Sequence, residues 1–146
     1  MSTSDREKIA AIMRANAPFA FLATSDGEQP RVRPVSPIVE DDLSVWVTTF
    51  YSSRKVKQIK ENSRVCLSFV EHPQGNKAVT VIGKCEVVPD MKEKKRIWEL
   101  AYFDLGQYFP EGVESKEYCL LKVLIDKIEW WESWEAGTQV YEAPGG

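Results

Sequence analysis

The chain has one histidine and three cysteines in 146 residues, and this scarcity excludes several kinds of chemistry. A Ser-His-Asp or Cys-His mechanism would have to run through His72, which sits in the loop-like segment "EHPQGN". A catalytic zinc site would want several ligands, and neither a cysteine nor a second histidine stands at ligand spacing from His72. Cys66, Cys85 and Cys119 are odd in number, widely spaced and each inside an apolar run. They read as reduced core thiols, not as a disulfide framework. No metal is expected.

A basic excess is missing too. Lys and Arg number 19 against 22 Asp and Glu, a formal net charge of -3. Nonspecific nucleic-acid binding needs the opposite balance, so any anion site must be local. Long apolar runs are also absent: the opening segment "MSTSDREKIAAIMRANAP" mixes charges into its apolar positions, unlike a signal peptide or a membrane span. The expected setting is cytoplasmic, with neither nucleic acid nor membrane as partner.

What is present suits one domain over residues 1–146, since a 43% hydrophobic content can bury a core. Ser4 and Glu7 have capping-box spacing ahead of Ile9, Ile12 and Met13, and Pro18 marks the far end, which predicts a helix over 4–17. Phe19 to Thr24 and "RVRPVSPIV" predict two strands about an Asp-Gly turn, the second made irregular or peripheral by its prolines. Leu43 to Phe50 predicts a third strand, with Leu43, Val45 and Val47 on one face, Trp46 and Phe50 on the other, and both faces buried. "SSRKVKQIKEN" predicts a short helix with a basic outer face, and "RVCLSFV" and "AVTVIGKCEVV" predict strands. Asp90 with Glu93 opens another helix; "YCLLKVLI" and "KIEWWESW" predict two final strands, and the tail from about residue 136 is expected to fray.

Six or seven strands against three helices predict a mainly β protein with peripheral helices, built as an antiparallel barrel or half-barrel. Hairpin-length connections exclude a doubly wound parallel sheet. The helices are too few to cover the second face of the third strand, which favours a homodimer.

The stretch "VTTFYSSRKVKQI" carries the main functional signal. A serine at position 52 or 53 would cap the helix beginning near Arg54. Capping does not account for Arg54 and Lys55, whose charges oppose the positive end of the helix dipole. Hydroxyls, free N–H groups, a guanidinium and an ammonium at one helix N-terminus together describe a phosphate site. Arg31 and Arg33, two apart on a strand, put a second basic pair on one face. Taken alone, "RVR" would equally suit solvated arginines on an edge strand.

The segments "RVRPVSP", "VWVTTFYSSRKVKQIKENSRVCLSF" and "VTVIGKCEVV" resemble the core of the FMN-binding split-barrel proteins related to pyridoxamine 5'-phosphate oxidase, nearest to their short general-stress-protein subgroup. The resemblance runs from about Phe19 to Val88. It implies a six-stranded split barrel and a homodimer with two flavins, as FMN, at the subunit interface. On this resemblance Arg54 and Lys55, with Ser53 beside them, match the pair that holds the FMN phosphate, and Ser52 is a further hydroxyl near it. Thr48 and Thr49 match strand-end positions set against the flavin and its ribityl-phosphate chain. Arg33, or Arg31 in a register shifted by two, matches the arginine that opens the strand along the isoalloxazine, with Pro34, Val35 and Ser36 following.

The departures matter as well. Ahead of "VTVIGK" the oxidase carries a glutamine that contacts the flavin, where this chain has Lys77 and Ala78. The oxidase's C-terminal substrate-binding Arg and His have no counterpart in "EWWESWEAGTQVYEAPGG". The vitamin-making activity is therefore not expected. On a continuous strand Trp130 and Trp134 would share a face with Trp131 opposite; core packing accounts for at least one, and Trp134 is the candidate to stack on the partner subunit's flavin. Glu129, Glu132 and Glu135 read as a solvated rim.

The resemblance implies an FMN-dependent oxidoreductase acting on a small substrate or taking electrons from a donor such as NAD(P)H, with the Arg33 charge favouring the reduced flavin. Two alternatives stay open: a flavin-binding stress or sensor module without turnover, and a barrel that takes a deazaflavin or haem instead. Haem ranks low, because His72 is the only imidazole available as an axial donor.

Overall fold

The computed structural model describes residues 3–142. Strands β1 (Ala20–Asp26) and β2 (Gln29–Val35) form a hairpin in which Asp26 faces Gln29, and Gly27 takes the turn at φ +60°. They are followed by β3 (Ile38–Val39), β4 (Val45–Phe50), β5 (Arg64–Val70), β6 (Ala78–Val87), β7 (Tyr118–Trp131) and β8 (Gln139–Glu142). Three helices accompany them: α1 (Thr3–Ala15), α2 (Arg54–Glu61) and α3 (Met91–Leu100).

All strand pairs are antiparallel, in the order β2-β1-β5-β6-β7-β4-β3, with β8 paired to β7. The result is a split half-barrel: six long strands, with the short β3 and β8 added to them. Its edge strands β2 and β3 are consecutive in the chain, so Ser36 and Pro37 step from one edge to the other. The strand expected across 31–39 breaks there, because Pro37 has no N–H for a ladder and Ile38–Val39 pair with β4 instead.

Alternation along the strands separates two packed layers. Leu22, Val45, Val47, Leu67, Phe69, Val79, Val81, Leu121 and Ile128 share the inner core with Ile9 and Met13 of α1 and Val56 and Ile59 of α2. On the outer side Ile38, Trp46 and Leu120 pack against Ile97 of α3. At Trp46 the second face of β4 is therefore covered by α3, so a second copy is not needed to bury it, whereas Phe50 on the same face, expected to be buried, is 40% exposed because α3 does not reach it. Asp90 caps α3 by accepting from the Lys92 N–H at 2.9 Å, and the Tyr118 hydroxyl donates to the Lys94 carbonyl at 2.8 Å, tying α3 to β7.

Other expectations need correction. Ser4 lies inside α1, which is helical from Thr3 and ends at Ala15. Leu43 sits in the turn before β4 at φ 69°. Cys66 is exposed while Cys85 and Cys119 are buried, because Val65, Leu67 and Phe69 take the inward positions of β5. The two last predicted strands are one strand, β7. Its continuity depends on a register shift at Ile82/Gly83 of β6, where a Cβ on Gly83 would lie 2.0 Å from the Leu124 carbonyl oxygen. β8 pairs with β7 in a segment expected to fray; residues 143–146 lie outside the described residues. Among the described residues no helix is long and apolar enough to cross a membrane.

Candidate functional site

Helix α2 starts where β4 ends, and Ser53 stands at its N-cap position with φ -69° and ψ 152°. The Ser53 side chain does not cap: its Oγ is buried and has no hydrogen-bond partner. Ser52 is engaged instead with a carboxylate, donating from Oγ to Glu117 Oε2 at 2.7 Å and from its backbone N–H to the same oxygen at 3.3 Å. Arg54 and Lys55 fill the first turn, and no acidic residue accompanies them there. With Arg31, Val32, Arg33, Ser52, Ser53 and Gln58 they line a groove of about 480 Å³. The four residues matched to the phosphate site, Ser52, Ser53, Arg54 and Lys55, are thus brought together with Arg31 and Arg33, the pair from which the arginine along the isoalloxazine was expected.

None of the salt bridges among the described residues involves Arg31, Arg33, Arg54 or Lys55. The charges consequently press on one another. Burial, then the nearby Arg31 and Arg54 charges, hold the Arg33 pKa below the ordinary arginine value. Burial, then Arg33, lower that of Lys55, with Cys119 acting in the opposite direction. The Lys55 ammonium donates to the Thr49 hydroxyl at 2.8 Å, and Thr49 is buried at the end of β4.

The register of the hairpin settles how the two β2 arginines differ. Arg33 pairs across from Leu22, and its guanidinium donates to the Leu22 carbonyl at 3.2 Å, to Thr24 Oγ1 at 2.7 Å and to Gln58 Oε1 at 2.9 Å. Arg31 is exposed at the groove rim. Sequence reasoning missed Thr24 and Gln58. The available signal was spacing, since Gln58 follows Arg54 by four residues and so shares its side of α2.

Lys55 also borders a second cavity of about 360 Å³, lined by Pro18, Ser36, Thr48, Thr49 and an aromatic wall that includes Phe50, Tyr102, Tyr108 and Phe109. The Phe50 and Phe109 rings lie 4.9 Å apart and Phe109 is 5.3 Å from Tyr118, so this wall is anchored on β7. Phe50 comes from β4, while Tyr102, Tyr108 and Phe109 come from the segment after α3, which carried no functional signal in the sequence. Ser36, Thr48 and Thr49 meet here, while Pro34 and Val35 line neither cavity; Pro34 is exposed and Val35 packs against the core.

Trp134 is elsewhere. It lies beyond the end of β7, so it does not continue the face of Trp130; it is 69% exposed, 5.4 Å from the Trp131 ring, beside Glu71, Gln74 and Lys77. Trp130 itself is buried in the core. His72 is exposed in the β5–β6 loop, edge-on to Phe19, and borders neither cavity.

A protein-family profile described as pyridoxamine 5'-phosphate oxidase matches residues 6–134. The chain belongs to that family. In fold it is similar to a Clostridium acetobutylicum protein related to general stress protein 26, of the pyridoxinephosphate oxidase family, with TM-score 0.79, 17% identity, and 97% of this chain and 96% of that chain covered. General stress protein 26 from Bacillus anthracis aligns with TM-score 0.77 at 20% identity, over 94% of this chain and 98% of that one. A FAD-binding protein from Mesorhizobium loti aligns with TM-score 0.64 at 24% identity, over 83% and 89%. No curated protein matches the chain in sequence.

Proposed function

We propose that this member of the pyridoxamine 5'-phosphate oxidase family binds FMN and works as a flavin-dependent oxidoreductase on a small substrate, with its phosphate site at the start of α2. The observation that carries the reading is the Ser53 hydroxyl, buried without a partner at the head of a helix that opens on two cations. A phosphate monoester has acceptor oxygens for that hydroxyl and for the α2 N–H groups, and negative charge for Arg54, Lys55, Arg33 and Arg31. The donor set therefore fits the group. The neighbouring cavity, walled by aromatic rings and joined to the groove through Lys55, which lines both, offers the apolar surface a ring system needs. The FAD-binding relative supports a flavin in this fold.

Bound flavin would supply the electron-transfer chemistry. The side chains bind and orient: Ser53, Arg54 and Lys55 hold the phosphate, while Thr48, Thr49 and Ser36 offer hydroxyls along the path to the aromatic wall. A reduced nicotinamide is the proposed electron donor. A homodimer with the flavin at its interface is part of the same proposal. It is supported by the apolar surface beside the groove, where Phe21 is 42% and Val32 65% exposed on adjacent strands.

The test is a titration of the protein with FMN and with riboflavin, followed by flavin fluorescence, alongside Arg54→Ala and Lys55→Ala. The expected result is tight FMN binding, much weaker riboflavin binding, and loss of the difference in both variants. Equal affinity for FMN and riboflavin in the wild type would refute the phosphate site.

A further inference from the structure

The groove contains one buried neutral residue among its cations. Gln58 is 5% exposed on α2, and its Oε1 accepts from Arg33 Nη2 at 2.9 Å and from Thr24 Oγ1 at 2.7 Å. Thr24, 4% exposed on β1, in turn accepts from Arg33 Nη1 at 2.7 Å, and the Leu22 carbonyl accepts from the same nitrogen. The Arg33 guanidinium is thus held from two elements, α2 and β1, by three acceptors, none of which carries a charge. A partly buried arginine ordinarily meets a carboxylate, since pairing offsets the loss of hydration. Here an amide occupies the position where the acid of the same shape would form that pair.

The consequence is electrostatic. A carboxylate at position 58 would orient Arg33 equally well but would neutralise it, and among the described residues no acid lines the groove: the rest of its lining is Arg31, Val32, Ser52, Ser53, Arg54 and Lys55. The Glu117 carboxylate, which reaches the groove at Ser52, is occupied by the Ser52 hydroxyl and N–H. With a neutral acceptor, Arg33 is fixed in place and its charge remains available.

We propose that Gln58 is a positioning residue for the anion site, and that its neutrality is the functional property: it orients Arg33 toward a bound phosphate without cancelling the Arg33 charge. The inference rests on the phosphate reading above and deepens it. It assigns part of the discrimination between a phosphorylated and an unphosphorylated flavin to a residue that carries no charge.

Gln58→Glu and Gln58→Met in the full chain test it, with FMN and riboflavin titrated separately by fluorescence. In Gln58→Glu the FMN affinity is expected to fall about tenfold or more, equivalent to ~1.4 kcal/mol, while riboflavin affinity is unchanged. In Gln58→Met, which keeps the volume and the Arg33 charge but loses the acceptor, FMN affinity is expected to fall by a smaller factor, again with riboflavin unchanged. A purely structural role would instead weaken both ligands by the same factor, and that result overturns the proposal. Wild-type FMN affinity in Gln58→Glu overturns it as well; should that variant fail to fold, wild-type FMN affinity in Gln58→Met does so. If the wild type itself does not distinguish FMN from riboflavin, the phosphate reading and this inference fall together. A wild type that does distinguish them, with variants that bind like it, removes only the role of Gln58.

Discussion

Replacing Ser53 with alanine separates a helix cap from a ligand group, because the two roles predict opposite signs. As an ordinary N-cap, serine to alanine costs about 0.5–2 kcal/mol through loss of the side-chain hydrogen bond. Ser53 makes no such bond, and its buried Oγ has no partner. A buried hydroxyl left unsatisfied costs about 1–3 kcal/mol, part of which the alanine removes. The unliganded variant is therefore expected to be more stable by about 1 kcal/mol, a rise in melting temperature of about 2–4 °C for a chain of this size. With FMN the sign reverses. A hydrogen bond to a charged group is worth about 1.5–3 kcal/mol, so FMN affinity should drop by about 10- to 150-fold. Thermal melts with and without FMN, together with a fluorescence titration, measure both quantities. A lower melting temperature without ligand, combined with wild-type FMN affinity, would show Ser53 to be a cap and refute the reasoning.

Four further outcomes follow from the structure. FMN affinity should rise as the phosphate becomes a dianion near pH 6, at about the second pKa of a phosphate monoester, and fall again as pH climbs through the Lys55 pKa, which burial and then Arg33 set below 10.5; an alkaline limb absent below that value would contradict it. In the ligand-free protein that lowered pKa means the unfolded chain holds the extra proton between the folded and unfolded pKa values. The Lys55 contribution to stability should thus rise with pH across that window, as read from denaturant midpoints. Gly83→Ala would force a Cβ to 2.0 Å from the Leu124 carbonyl oxygen, and should destabilise the fold by about 3 kcal/mol or more; a melt close to wild type would show that the β6–β7 shift relaxes easily. In the folded protein Cys66 alone should react with a thiol reagent near neutral pH, since burial pushes Cys85 to about 12 and Cys119 to about 11; reaction of all three thiols before unfolding would count against the packing of β6 and β7.

Local signals carried a long way in this chain. Strand β5 runs over Arg64–Val70, the span its β-branched and aromatic residues predict, and α2 begins at Arg54 directly after the serine pair. The cations, hydroxyls and helix start of "SSRK" are neighbours in sequence, so their meeting in one groove needed only a strand end followed by a helix. Arg31 and Arg33 could be assigned to one strand face, since alternation is a property of the strand alone. Their different roles could not, because Arg33 is singled out by Thr24 and Gln58, which approach it from β1 and α2 and lie 34 residues apart in the chain.

Tertiary packing decided the rest. The outer face of Trp46 is covered by α3 because the chain after β6 returns across β4, which no periodicity in β4 records. β7 stays one strand through Asp126 because Gly83 on the adjacent strand leaves room for the shifted register, and Trp134 falls outside it because β7 ends at Trp131. The aromatic wall of Tyr102, Tyr108 and Phe109 gains its meaning only beside Thr48 and Lys55. Sequence by itself determined the fold class and the clustering of cations and hydroxyls at one turn, since both depend on residues within a few positions of each other. Which charge is held, which face is covered and where the ring-sized cavity lies depended on contacts between distant segments, whose free energy exists only once the barrel has formed.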